Sequence, residues 1–132
     1  MAWNVSPTVD EIRFLMESGV VLRDAHRFAE AEEVFRGVRA LVPASEVPEM
    51  ALGTLQFELG KFPEAAKHYR RALELNERRA LVHAHLGESL LFDKDKEGAR
   101  THLKRAIELD PRGESGRLAR SLLDLADAVS FN

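Results

Sequence analysis

Residues 46–79 read EVPEMALGTLQFELGKFPEAAKHYRRALELNERR. Leu52-Gly53 sits in a first helical stretch, Gly60-Lys61-Phe62 makes a short break, and Ala65, Tyr69, Ala72 and Leu73 return at helical spacing in a second. The same columns return at one fixed interval on either side of this stretch. Gly53 becomes Gly19 and Gly87, and Ala65 becomes Ala31 and Ala99. Tyr69 becomes Phe35 and Leu103, and Ala72 becomes Val38 and Ala106. Pro43 and Pro111 close the outer two units, with Glu77 at the corresponding place between them. A fixed period of this length marks a stacked helical repeat, in which each unit buries its apolar face only against its neighbours.

The pattern resembles the tetratricopeptide repeat family, W-x-x-L-G-x-x-Y followed by A-x-x-x-F and a closing proline. The resemblance covers residues 12–113 and is carried best by Leu52-Gly53, Gly60, Phe62, Ala65, Tyr69, Ala72 and Leu73. Leu86-Gly87, Ala99, Ala106 and Pro111 carry it in the next unit. The sequence departs from the family where the first aromatic should stand, with Leu15, Glu49 and His83 instead. Ser18 replaces the usual leucine, and Lys94 and Lys96 replace glycine and tyrosine. The resemblance implies an all-α, right-handed α-solenoid of three helix hairpins plus a C-terminal capping helix. It would form one domain over 1–132, with repeats at about 12–45, 46–79 and 80–113 and the cap at about 114–129.

Helical periodicity agrees with that architecture. Val9, Ile12, Leu15, Met16, Gly19 and Leu22 predict a first helix ending near Asp24, started by Ser6-Pro7 or by Thr8 with Glu11. Further helices are predicted near 28–41, 46–59, 63–75, 78–92 and 96–109. The seventh carries Arg120-Ser121 where a Leu-Gly pair would stand, as expected of a helix with one face docked and the other in water.

Composition narrows the function. The 132 residues are 45% hydrophobic and 31% charged, with a net charge of −3 that argues against a nucleic-acid binder. Residues 1–60 hold 5 basic and 10 acidic side chains, whereas residues 61–132 hold 14 and 12, a gradient that could orient a partner. Apolar runs are too short to span a membrane and the N-terminus lacks a signal-peptide pattern, so a soluble, cytoplasmic protein is expected. There is no cysteine, no phosphate-binding glycine loop and no His-Glu-x-x-His pair. His83 and His85 are two apart and diverge on a helix, while His68 and His102 share a repeat position expected on the outer surface. In His68-Tyr69-Arg70-Arg71, Tyr69 is the packing column and the arginines a solvated face. No enzyme activity, cofactor or metal is expected.

What the resemblance implies about function lies on the first helix of each pair, which in this family lines a concave groove for extended or helical peptides. The matching columns are Arg13, Met16, Val20 and Arg23, then Val47, Met50, Thr54 and Phe57, then Leu81, Ala84, Glu88 and Leu91. Leu118 and Leu122 extend them onto the cap. The family's carboxylate clamp would need Lys and Asn where Met16, Val20, Thr54 and Leu81 stand, and His85 is the only cation nearby, so that clamp is not expected. An apolar, methionine-bearing groove asks for an amphipathic or hydrophobic guest. Size, repeat number and groove character resemble the bacterial chaperones of type III secretion systems. The expected role is to hold an apolar segment of a protein client; the alternative is a scaffold or adaptor that organises an assembly through self-association.

Overall fold

The computed structural model describes residues 6–131. Seven helices follow one another: α1 (Val9–Asp24), α2 (Phe28–Leu41), α3 (Val47–Glu58), α4 (Phe62–Leu75), α5 (Ala80–Phe92), α6 (Lys96–Leu109) and α7 (Glu114–Ala128). Among the described residues there is no strand. Each helix packs on the next, so the chain stacks in sequence order into an α-solenoid of three hairpins closed by α7.

Local chemistry sets the helix ends. Of the two start signals for α1, Thr8 and Glu11 act: the Thr8 hydroxyl accepts from the Glu11 backbone N–H at 3.1 Å, and the Glu11 carboxylate accepts from Thr8 N–H at 3.3 Å. Proline in the first turn of α3 and of α4 costs no helical hydrogen bond. The turn inside each hairpin is the same device, repeated from unit to unit. His26, Gly60 and Lys94 adopt positive φ of 60°, 75° and 65°. The following N–H then reaches back to the helix, from Arg27 to Leu22, Lys61 to Gln56 and Asp95 to Leu90, at 2.8–2.9 Å. Only Gly60 adopts that conformation without a Cβ penalty.

The glycine and aromatic columns meet across each hairpin. A Cβ on Gly53 would lie 2.6 Å from the Tyr69 ring, and one on Gly87 would lie 2.6 Å from Leu103; Gly19 meets Phe35 in the same way. Glycine is therefore required where the two axes approach most closely, and the ring opposite fills the space the absent side chain leaves. Ala31, Ala65 and Ala99 are fully buried beside these contacts. Ala31, Phe35, Leu52 and Leu55 form one core cluster, joining the first hairpin to α3. A larger cluster runs from Ala65 and Tyr69 through Leu86 and Leu103 to Ala119, Leu122 and Ala126 of α7. Burying a side chain the size of Phe35 contributes about 1.5–3 kcal/mol. The chain end is fastened to the third hairpin by Lys96, whose ammonium donates to the Val129 carbonyl at 3.2 Å, and by an Arg100–Asp127 ion pair.

Candidate functional site

The residues expected to line a groove do not share one environment. Met16 and Val20 on α1 are half-buried against the first core cluster. Met50 and Phe57 on α3 are half-buried against the second, and Val47 is exposed. Leu81 and Glu88 on α5 are half-buried, and Arg13 is exposed and paired with Asp10. Arg23 reaches from α1 to Glu58 of α3 at 3.5 Å and so bridges neighbouring hairpins at the groove edge.

Thr54 is already engaged. Its hydroxyl donates to the Met50 carbonyl at 3.1 Å, which leaves its oxygen to accept from the Tyr69 phenol at 2.9 Å. Burial pushes that phenol up to about 12, so it stays a donor across the accessible pH range. His85 stacks on the other face of this unit, 5.6 Å from the Tyr69 ring centre and 3.8 Å from the Glu88 carboxylate. A polar seam thus ties α3, α4 and α5 under the apolar row.

Two expectations are corrected by the packing of α7. Ala84 is fully buried and Leu91 is 4% exposed, because the core cluster that α7 closes covers them. Leu122, proposed as a groove extension on the cap, is 8% exposed in the same cluster. The surface moves one column along instead. Phe57, Leu91 and Leu125 occupy one column of successive units, and Leu125 is 45% exposed. A cavity of about 190 Å³ opens there, lined by Leu91, Phe92, Lys94, Leu125, Val129 and Phe131. Phe92 links it to Phe57 and Phe62 through ring contacts of 5.3 and 5.4 Å. The expected row extended to Leu118 and Leu122 and not to Leu125, and Phe92 and Phe131 carry no column signal.

The histidines also depart from expectation. His68 is buried, not on the outer surface: its Nδ1 donates to the Glu49 carboxylate at 2.8 Å, and Arg39 donates to the other oxygen of the same carboxylate at 3.2 Å. His102 is half-buried against His83, with stacked rings and an Nδ1–Nδ1 separation of 3.1 Å. His83 and His85 diverge as their spacing predicts. Since His83 Nε2 donates to the Glu77 carbonyl at 2.8 Å, its Nδ1 is the acceptor and His102 Nδ1 the donor. Among the described residues no group of three or more His, Asp or Glu side chains converges to hold a metal ion, and no helix is long and apolar enough to cross a membrane.

Helix hairpins stacked in register, with a half-buried apolar row along the first helix of each, define an α-solenoid. Residues 50–114 match the family model described as Tetratricopeptide repeat. The whole described chain has the tetratricopeptide-repeat fold, as the structures it superposes on show. PcrH from Pseudomonas aeruginosa superposes with a TM-score of 0.84 at 19% identity, over 97% of this chain and 100% of that one. The Yersinia enterocolitica type III secretion chaperone SycD, in complex with a peptide of the translocator YopD, gives 0.80 at 18% identity, over 91% and 95%. The first repeat domain of Spaghetti (RPAP3), bound to the HSP90 peptide SRMEEVD, gives 0.81 at 19% identity, over 94% and 96%. No curated protein matches this chain.

Proposed function

We propose that this chain is a protein-binding module that holds an apolar or amphipathic peptide segment along α1, α3 and α5. The observation that carries the reading is the row Met16, Val20, Met50 and Phe57, half-buried yet open, continuing into the apolar cavity beside Phe92. Val47, Thr54, Leu81 and Glu88 flank this row, while the buried Ala84 and Leu91 support it from beneath. Methionine suits such a surface because it repacks around different guests at little strain. Peptide complexes of two similar folds, SycD with a YopD peptide and Spaghetti with an HSP90 peptide, support the general reading. Within it, the apolar character of the row favours a cytoplasmic chaperone that shields one segment of a secretion-system subunit over a scaffold or adaptor that organises an assembly through self-association.

The test is affinity capture from the source cell followed by calorimetry with the captured protein. Met50→Glu and Phe57→Glu should each weaken binding by about 2 kcal/mol or more, because a carboxylate in a desolvated contact is left unpaired. Both variants should keep wild-type circular dichroism. Arg70→Glu and Arg71→Glu, on exposed positions of α4, should change salt dependence more than affinity. Loss of binding in the arginine variants with retention in the groove variants places the guest on the other face and ends the proposal.

A further inference from the structure

The columns that each later hairpin buries against the one before it are left open on α1. Pro48, Leu52 and Leu55 of α3 are buried, the two leucines against Ala31 and Phe35 of the first hairpin, and Ala51 beside them is half-buried in the same contact. Val82, Leu86 and Ser89 of α5, one repeat further on, are fully buried as well. On α1 these columns hold Phe14, Ser18 and Val21, with Glu17 in the column of Ala51, and Phe14 and Val21 are each 67% exposed. Ser18 adds no polar cost, since its hydroxyl already donates to the Phe14 carbonyl at 2.8 Å. A shallow depression is lined by Phe14, Glu17, Ser18, Val21 and Leu22. This is a helix-docking face with no helix docked on it among the described residues.

One edge of the face is acidic. Asp10, Glu17 and Asp24 recur every seven residues, two helical turns, and all three are exposed. They run for about 21 Å beside Phe14 and Val21, to which they stand three or four residues away. The cations nearby are committed elsewhere. Arg13 and Arg23 touch Asp10 at 3.5 Å and Asp24 at 3.4 Å, but both belong to the groove columns on the other side of α1, and Arg23 is shared with Glu58. Arg27 at the start of α2 is closed into a two-pronged pair with Glu30. Glu11 caps its own helix at Thr8. Among the described residues Glu17 makes no ion pair.

We propose that the outer face of α1 docks an amphipathic helix of another protein, its apolar stripe on Phe14 and Val21 and its Lys or Arg side chains along the acidic edge. The stack itself shows that these columns accept a helix, since α2 covers them on α3 through Ala31 and Phe35. The charges say which helix. Whatever covers the face also takes Glu17 partly out of water, as Ala51 is taken on α3, and a carboxylate moved out of water needs a cation. The chain sets its own precedent at Glu58, which stands in the column of Asp24 and receives Arg23 from the preceding hairpin at 3.5 Å. The same charges reject a second copy as occupant: paired α1 helices would bring two sets of Asp10, Glu17 and Asp24 to one contact. The outer face of α7 does not fit either, because its exposed Arg117, Arg120, Ser121 and Asp124 offer charge without an apolar stripe. The proposal is independent of the groove, because Phe14, Glu17 and Val21 belong to none of its columns.

The probe is a pair of synthetic helical peptides of about 14 residues, long enough to run the length of the acidic edge. Both carry one stripe of alanine and leucine; one has lysines along the edge of that stripe, the other glutamates. Fluorescence anisotropy should show the lysine peptide binding about tenfold or more tighter than the glutamate peptide. Phe14→Ala and Val21→Ala, both at exposed positions, should each weaken the lysine peptide about tenfold with unchanged circular dichroism. Glu17→Lys should reverse the preference between the two peptides, a result that a disturbed fold cannot produce. Met50→Glu, the groove variant, should leave binding of the lysine peptide intact, so failure of one reading does not carry the other with it. Equal binding of the two peptides, or none of the lysine peptide, overturns the proposal. So does binding that is lost in Met50→Glu and kept in Phe14→Ala, which would put the peptide in the groove. Sedimentation showing self-association that Phe14→Ala abolishes would give the face to a second copy and overturn it as well.

Discussion

The second and third hairpins put different chemistry into the same pocket. Glu49 and His68 in one, and His83 and His102 in the other, occupy matching columns that in the first hairpin hold Leu15 and Val34. Three solutions to one backbone problem therefore stand side by side: an apolar pair, an acid–base pair and a pair of imidazoles. Each polar version supplies its own partners. Glu49 is buried because both its oxygens are engaged, and Arg39 reaches it from the preceding hairpin, so the charge also joins two units. His83 is buried because its two ring nitrogens are used, one on a backbone carbonyl and one on His102. The difference teaches that the repeat fixes the shape of the site but not its polarity, provided that every buried polar atom finds a partner.

The largest effect should come from breaking the acid–base pair on one side. Glu49→Ala leaves the buried His68 and part of the Arg39 guanidinium without an acceptor and should destabilise the fold by about 2–4 kcal/mol in urea unfolding. Combining Glu49→Leu with His68→Val copies the first hairpin and should recover most of that loss, since an apolar pair needs no partner. A double variant as unstable as the single one would show that the pocket of the second hairpin differs in shape and not only in polarity.

A smaller effect should separate the third hairpin from the second on acidification. Burial holds the His102 imidazole below its ordinary value, and the neighbouring His83 and Arg70 act in the same direction, with Asp95 opposing. A depressed folded value means that the unfolded chain binds the proton more readily. Stability from this group is thus complete above the unfolded value of about 6.5 and is lost as pH falls through the folded value. Melting curves at pH 7.5 and pH 5.5 should show a loss on acidification that shrinks in His102→Gln. An unchanged loss in that variant assigns the acid sensitivity elsewhere.

The smallest effect belongs to the surface-facing arm of the comparison. Arg39 is about a third exposed, so its ion pair with Glu49 is screened. Arg39→Gln should cost about 0.5 kcal/mol, and the cost should fall further at high salt. A loss close to that of Glu49→Ala would make Arg39, and not His68, the essential partner.

Much of the solenoid was legible because its signals are local and periodic. Gly19, Gly53 and Gly87 with Phe35, Tyr69 and Leu103 announced the close approach within each hairpin, and the helix limits followed from turns such as Gly60-Lys61. The positive-φ turns were only partly legible, since His26 and Lys94 do the work that Gly60 advertises. The row of candidate groove residues was less legible. The columns placed Met16, Met50 and Phe57 correctly on the first helices, but the burial of Ala84, Leu91 and Leu122 depends on how closely α7 settles, and no period encodes that distance.

By itself the sequence determined the number of helices, their pairing and which side chains meet across a hairpin, because a fixed period repeats the same short-range contacts in every unit. Only the tertiary structure decided which polar groups are satisfied and which apolar ones stay open. His68 and His102 turned inward because carboxylate and imidazole partners reach them from another helix of the same hairpin. Phe14 and Val21 stayed exposed although their counterparts one repeat further on are buried, because among the described residues no helix packs on that side of α1. Burial is set by what packs against a residue from elsewhere in the stack, and a column in the sequence cannot say whether that neighbour is there.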